Sequence, residues 1–209
     1  MSEQSSAQIK QIQKFKVFDK YDLSEVKVED FGLRSIINLT PTLVVKSQGR
    51  NVMKAGQARV NIIERFANRI ATAGHRSKKH KIELGHVTGK YYKNMRIFLN
   101  ALDLIEKKTG KNPVQVLVKA VENSAPRDEI TMIEYGGARY PQAVDVSPLR
   151  RANLAIRWIV QGASDKAFGK KKDITQALAE EIVLASENNG ESFAARKKNE
   201  AEKQADSAR

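Results

Sequence analysis

The chain has 209 residues, enough for one domain with tails or at most two small domains, and for a buried core. Lys and Arg number 37 against 24 Asp and Glu, a net charge of +13, and the lack of cysteine excludes disulfides, thiolate metal sites and cysteine nucleophiles. No apolar run approaches the roughly 20 residues that span a membrane, and no signal peptide opens the chain, so we expect a cytoplasmic protein.

The first 45 residues carry no net charge and show no clear helical period, which predicts an extension partly ordered against another surface. Two glycines and several polar residues then accompany Arg50 and Lys54, a composition typical of a basic linker over residues 46–57. We therefore expect an N-terminal extension with its linker over residues 1–57 and a helical domain over residues 58–209.

A helix is predicted from Ala58 to Ala73, with Gly74 as its stop. Arg65 and Arg69 lie one turn apart at the flank of its apolar stripe, where two like charges destabilise an isolated helix by roughly a few tenths of a kcal/mol. An RNA phosphate between them would reverse that effect; the alternative is that both arginines cover the edge of the core. The stripe consists of Ile62, Ile63, Phe66, Ile70 and Ala73.

The most basic loop follows over residues 74–92, and it holds all three histidines of the chain. The spacing of His75, His80 and His86 matches neither a one-turn helical pair nor a zinc finger, and few carboxylates are nearby, so we expect no metal and no cofactor. The polar imidazole rings of these histidines, set among lysines, suit contacts to RNA sugars and phosphates. The cations of this loop are Arg76, Lys78, Lys79, Lys81 and Lys90.

Two amphipathic helices come next. The first covers residues 90–109, with Lys93 and Arg96 facing outward at its start, and ends at Gly110. The second covers residues 113–124, because proline suits the first helical position and a further proline follows its end.

A two-stranded arm is predicted over about residues 130–146. Gly136 and Gly137 separate two runs rich in Ile, Tyr, Val and Met, the pattern of a type I′ hairpin turn. Pro141 cannot donate to a ladder, which excludes the second strand from the middle of a sheet and favours a free ribbon. An ordinary edge hairpin over the core is the alternative. The register pairs Tyr135 with Ala138, Glu134 with Arg139, Ile133 with Tyr140 and Met132 with Pro141.

After the arm, Ser147 and Pro148 supply an N-cap and a first helical residue for a helix to about Gly162. Its polar face, which we expect to be exposed to solvent or phosphate, carries Arg150, Asn153, Arg157 and Gln161. A basic loop with Lys170, Lys171 and Lys172 then leads to a helix over residues 173–189, begun by a capping-box-like Asp173 and Gln176. The segment from Ser192 is charged all round, so we expect it to fray or to bind a partner.

Positive charge is concentrated in two blocks. Residues 46–96 carry +11 and residues 146–172 carry +6, whereas the other segments are neutral or slightly negative. Such segregation indicates a polyanionic partner, because each neutralised phosphate releases counterions. No phosphate-binding glycine loop and no activated nucleophile are evident, so we expect no enzyme activity.

Two other function classes are weaker. A DNA-binding regulator would use residues 148–162 as its recognition helix, but a hairpin stands where the preceding helix of that motif belongs. A protein-interaction module leaves the two positive blocks unexplained.

Three segments resemble one family in consistent order. GKNPVQVLVKAVENSAPRDE, then IEYGGARYPQAVDVSPLRRANLAIRWIV, then LAEEIVLASENNG with a charged tail are similar to small-subunit ribosomal protein seven over roughly residues 58–209. The N-terminal extension and PQAVDVSPLRR resemble its archaeal and eukaryotic branch. One departure is the strand ITMIEY, which has Glu134 where bacterial members carry basic residues.

The resemblance implies a mainly α fold, a bundle of about six helices with a protruding hairpin arm and an N-terminal extension. It also implies a structural ribosomal protein that binds the 3′ major domain of small-subunit rRNA, nucleates head assembly and lies near the exit-site tRNA and the mRNA path. Neighbouring small-subunit proteins are expected partners, and homo-oligomers are not. Family positions carried over are Gly89, Lys90, Lys93, Arg150, Arg151 and Arg157.

Residues and resemblance together give two sets of expected contacts. The RNA-binding set is Arg50, Lys54, Arg59, Arg65, Arg69, Arg76, Lys78, Lys79, Lys81, Lys90, Lys93, Arg96, Arg150, Arg151, Arg157, Lys170, Lys171 and Lys172. The arm set, for tRNA, mRNA or protein, is Tyr135, Gly136, Gly137, Arg139 and Tyr140.

Overall fold

The computed structural model describes residues 16–18, 20–41, 45–47, 52–53, 55–74 and 89–209. These parts of the chain form seven α-helices, one 3-10 helix at Gly56–Arg59 and one two-stranded antiparallel sheet, which confirms the mainly α fold with a hairpin. The elements are α1 (Phe31–Arg34), α2 (Ile62–Ile70), α3 (Tyr91–Thr109), α4 (Pro113–Ser124), β1 (Asp128–Tyr135), β2 (Ala138–Asp145), α5 (Pro148–Ala167), α6 (Ile174–Ser186) and α7 (Phe193–Asp206).

The core lies where the apolar faces of α2 to α6 meet. The rings of Phe66 on α2 and Phe98 on α3 are stacked, with centroids 5.2 Å apart and planes 9° apart. Leu117, Ile159 and Ile182 bring α4, α5 and α6 to the same cluster, and each is fully buried. Burial of such side chains contributes about 1.5–3 kcal/mol each, so this cluster fixes the relative positions of the helices.

The helix predicted over residues 58–73 is shorter in the structure. Asn61 accepts a hydrogen bond from the backbone N–H of Ile63 and caps α2, so the regular helix begins at Ile62. The three residues before Asn61 lie in or beside the 3-10 helix, and Ala71 to Gly74 form turns after Ile70. The local cap, rather than the wider apolar pattern, therefore sets the start of this helix.

The helix predicted to end at Gly162 continues to Ala167 as α5. Gly162 is helical because its missing side chain leaves room for neighbours: an added Cβ would lie 2.7 Å from Phe193 Cβ and 3.0 Å from Glu181 Cδ. Helices surround this part of α5, and Gln161 is buried, so the prediction that Gln161 lies on an exposed face is wrong.

Caps predicted for α5 and α6 are only partly formed. Ser147 and Asp173 occupy the N-cap positions, and Pro148 is the first helical residue, but neither side chain makes a cap hydrogen bond. Helix α6 ends at Ser186, before the predicted end at Asn189.

The described part of the N-terminal segment packs on the helices. Val17, Leu33 and Ile37 belong to the hydrophobic core and are at most 4% exposed. The Tyr21 hydroxyl donates a hydrogen bond to Asp103 on α3, and burial, then this carboxylate, raises the pKa of Tyr21. The surface that orders these residues is the protein's own helical core.

The hairpin register is the predicted one. Tyr135 pairs with Ala138 and Glu134 with Arg139, and the pairing continues to Asp128 with Asp145. Both turn glycines have positive φ, +58° at Gly136 and +81° at Gly137, a conformation that favours glycine. The outer half of the ribbon is exposed on both strands, so the arm protrudes.

The C-terminal segment folds back on the domain instead of fraying. Ser192 caps α7 by accepting a hydrogen bond from the N–H of Ala195, and its hydroxyl donates to the fully buried carboxylate of Glu181 at 2.7 Å. Lys166 Nζ on α5 lies 2.6 Å from that carboxylate. Helix α7 packs against β1, where Arg209 pairs with Asp128 at 2.5 Å and supports the base of the arm.

Candidate nucleic-acid interface

A groove of about 300 Å³ lies between α2, which belongs to the first basic block, and α5, which belongs to the second. Its described lining contains three arginines and no carboxylate, together with neutral polar groups. A concave surface with this charge suits a phosphate group, because several donors converge on one anion. The polar lining residues are Gln57, Arg65, Asn68, Arg69, Thr72, Asn153 and Arg157.

Arg69 is the residue whose environment points most directly to an anion. Its Nε is buried and has no hydrogen-bond partner among the described residues. Burial lowers the pKa of Arg69, and the positive charge of Arg157 across the groove lowers it further. Arg157 is exposed. A phosphate placed between the two guanidiniums would replace repulsion with two attractive contacts.

Arg65 forms part of the groove's frame. It is 8% exposed, and it donates hydrogen bonds to the Ile36 carbonyl at 3.1 Å and to Asn153 Oδ1 at 3.0 Å. Asn153 in turn donates to Gln57 Oε1 at 3.0 Å. Burial lowers the pKa of Arg65 to about 10. These bonds tie α2 to α5 and to the N-terminal segment, so Arg65 positions its neighbours.

Two arginines at the start of α5 are held by carboxylates of the protein. Arg151 Nη2 lies 2.6 Å from Asp30 Oδ2, and its Nε donates to the Pro126 carbonyl at 3.1 Å. Burial would raise the pKa of Asp30, but the hydrogen bond and charge of Arg151 hold it below 3.8. Arg150 is exposed but donates twice to Glu129, at 2.7 and 3.0 Å, and this bonding raises its pKa.

The other predicted cations that the structure describes line no part of this groove. Lys172 is paired with Glu180 on α6, and its hydrogen bond to this carboxylate lowers the pKa of Glu180. Of the remaining predicted cations, those exposed elsewhere on the described surface are Arg59, Lys90, Lys93, Arg96, Lys170 and Lys171. Outside the described residues lie Arg50, Lys54, Arg76, Lys78, Lys79 and Lys81, together with His75, His80 and His86.

Sequence reasoning placed Asn153 beside Arg157 but missed three other neutral polar residues of the groove, Gln57, Asn68 and Thr72. Asn68 and Thr72 follow Arg65 and Arg69 at intervals of three residues, so they belong to the same helical face. This spacing was a usable signal. Gln57 could not be found in that way, because only the fold brings it to Asn153.

The arm presents little charge. Arg139 Nε lies 3.4 Å from Glu134 Oε2, so the only cation of the outer ribbon faces a carboxylate, as the register predicts. Tyr135 is 82% exposed and Tyr140 is 59% exposed, and both side chains point to the same face of the ribbon. The arm therefore offers aromatic surface to a partner.

Comparison with known proteins identifies the family. The family model described as ribosomal protein S7p/S5e matches residues 34–209. The chain belongs to this family. Small ribosomal subunit protein uS7 of Nanoarchaeum equitans is 51% identical over 94% of this chain and all of its own length. Proteins of the same name from Methanosphaera stadtmanae and Picrophilus torridus are 45% and 44% identical, over 93% and 92% of this chain and 98% of their own lengths.

Family membership confirms the predicted class. Ribosomal proteins of the S7p/S5e family are structural, non-enzymatic components of the ribosome, so this chain is a cytoplasmic ribosomal protein and not an enzyme. The three relatives are archaeal, in agreement with the predicted archaeal and eukaryotic branch. Among the described parts of the chain, no helix is long and apolar enough to cross a membrane.

Proposed function

We propose that this ribosomal protein is a structural constituent of the small subunit that binds the 3′ major domain of the small-subunit rRNA and nucleates assembly of the head. The observation that carries the proposal is the arginine groove, where the buried Nε of Arg69 has no hydrogen-bond partner in the described part of the chain and the like charge of Arg157 lies across from it. The archaeal relatives are named small ribosomal subunit protein uS7, and this name supports the choice of subunit.

The mechanism is electrostatic clamping of folded RNA. Helix α5 has 20 residues and is therefore about 30 Å long. The arginine groove lies near its middle, and Lys170 and Lys171 lie just beyond its C-terminal end. Contacts spaced along one helix can hold separate phosphates of one RNA domain, and such contacts fix position more than they read bases.

The arm has a separate role in this proposal, beside the exit-site tRNA and the mRNA path. Because Glu134 neutralises Arg139, the arm would touch these RNAs or a neighbouring protein through Tyr135 and Tyr140 rather than through charge. Other small-subunit proteins are partners in the assembled head, and the chain acts as a single copy.

The test is binding of the full chain to a transcript of the 3′ major domain, with an unrelated transcript of equal length as control. We expect a log–log salt slope of several units, about 0.7–0.9 for each neutralised phosphate, and tighter binding to the 3′ domain. The protein should also sediment with the small subunit through a moderate-salt wash. A flat salt dependence, or equal affinity for both transcripts, would refute the proposal.

A further inference from the structure

Two adjacent tyrosines at the start of α3 form a cluster with Lys46. The ammonium of Lys46 lies 5.0 Å from the ring centroid of Tyr91 and 5.3 Å from that of Tyr92. The two rings meet edge to face, with centroids 5.6 Å apart and planes 84° apart. Contacts of a cation with two aromatic rings hold all three side chains in a defined arrangement.

This cluster is anchored on one side and open on the other. Ser47, next to Lys46, donates from its N–H and its hydroxyl to the buried carboxylate of Glu64 at 2.9–3.0 Å. Tyr91 is half-buried, and burial, followed by the charge of Glu64, raises its pKa to about 12. Tyr92 is 76% exposed, so its ring is presented to solvent from an anchored base.

Cations accompany the exposed ring. Arg96 follows Tyr92 by four residues, so it lies on the same helical face about one turn, or 5.4 Å, further along. Lys93 and Arg96 are both exposed, and no ion pair among the described residues involves them. From Lys90 to Arg96 there are three cations and no carboxylate. A flat ring with a cation about one helical turn away can contact a base and a backbone phosphate of the same single strand.

We propose that Tyr92 is a stacking platform for an unpaired nucleobase of RNA, with Lys93 and Arg96 binding the phosphates next to that base. That the partner is this RNA rests on the proposed function. The inference adds that the site recognises a single-stranded stretch of the RNA instead of a duplex. An acidic protein surface would pair with the cations but would gain little from an exposed ring, whereas every base has a face that can stack.

The experiment uses the full chain in four forms: wild type, Tyr92→Leu, Tyr92→Phe and Arg96→Gln. Their dissociation constants for the 3′ major domain transcript are measured over a range of salt concentrations. Tyr92→Leu should weaken binding roughly 10-fold, as expected for the loss of one base–aromatic stack, without changing the salt slope. Tyr92→Phe keeps the ring and should bind like wild type. Arg96→Gln should lower the slope by about 1.

A fluorescent variant reports stacking directly. Tyr92→Trp adds an indole to a chain whose only tryptophan is Trp158, and the wild-type signal is subtracted. A single-stranded oligoadenylate of about ten nucleotides should quench this emission to saturation, and a blunt RNA duplex of the same length should not. Because Tyr92 is exposed, unchanged melting temperatures serve as the folding control.

The outcomes separate this inference from the proposed function. If Tyr92→Leu binds the transcript like wild type and the oligoadenylate leaves the indole emission unchanged, the stacking site is refuted, even where wild-type binding is tight and salt-dependent. If wild type shows no preference for the 3′ domain but the oligoadenylate quenches the indole, the proposed function fails and the stacking site stands. Loss of affinity in Tyr92→Phe as large as in Tyr92→Leu would also refute stacking.

Discussion

Replacing Arg157 with Gln separates the two properties that the arginine groove combines. In the free protein the positive charge of Arg157 repels that of Arg69 across the groove, and no ion pair among the described residues offsets this repulsion. Removing its charge should therefore leave the melting temperature unchanged or slightly higher. In the complex the same change deletes a contact between a charged donor and a phosphate, which we expect to contribute about 1–2 kcal/mol, or roughly 5- to 30-fold in affinity.

The assay is a salt titration of binding to the 3′ major domain transcript. Arg157→Gln should lower the log–log slope by about 0.7–0.9, the effect of one phosphate contact. The matched control is Arg150→Gln, on the same helix about two turns earlier. Glu129 already holds Arg150 through two hydrogen bonds, so the slope should change less. Equal effects of the two substitutions, or an unchanged slope for Arg157→Gln, would refute the assignment of the phosphate to this groove.

Three further predictions concern stability and the arm. Gly162→Ala should destabilise the protein by about 1–3 kcal/mol in denaturant unfolding, since the new Cβ would lie 2.7 Å from a neighbouring Cβ, whereas Gly190→Ala, with nothing within 4 Å, should be neutral. Asp30→Asn should lower the free energy of unfolding by about 1–2 kcal/mol at pH 7. Because the folded pKa of Asp30 is depressed, its contribution to stability is present above pH 3.8 and is lost as the pH falls through the folded pKa. The free energies of unfolding of wild type and variant should therefore converge at that low pH. Glu134→Gln should leave the melting temperature unchanged, since the ion pair with Arg139 is exposed, and a drop of several degrees would contradict this expectation. The same change frees the charge of Arg139, so it should steepen the salt dependence of any contact that the arm makes with tRNA.

Features decided within a few residues could be predicted from the sequence. The register of the arm follows from Gly136 and Gly137, because a two-residue turn leaves one way to pair the strands. Helix α4 has the predicted bounds, residues 113–124, because Asn112 caps it and proline occupies its first position.

Features decided by distant parts of the chain could not be predicted. The continuation of α5 through Gly162 depends on the close approach of Phe193, which the helical pattern does not contain. The inward contacts of Arg65 and Arg151 depend on partners far away in sequence, such as Asp30, which lies 121 residues before Arg151. Net charge identifies the basic blocks, but only the fold divides their arginines between internal contacts and the groove.

The central claim is that RNA lies against the arginine groove, and tethered cleavage tests it most directly. Because the chain has no cysteine, a single Thr72→Cys in the groove can carry a hydroxyl-radical source, and Glu187→Cys, in a groove that shares no residue with it, serves as the control. We predict strong, localised cleavage of the 3′ major domain from residue 72 and weak cleavage from residue 187. Equal cleavage from both positions, or stronger cleavage from residue 187, would contradict the account.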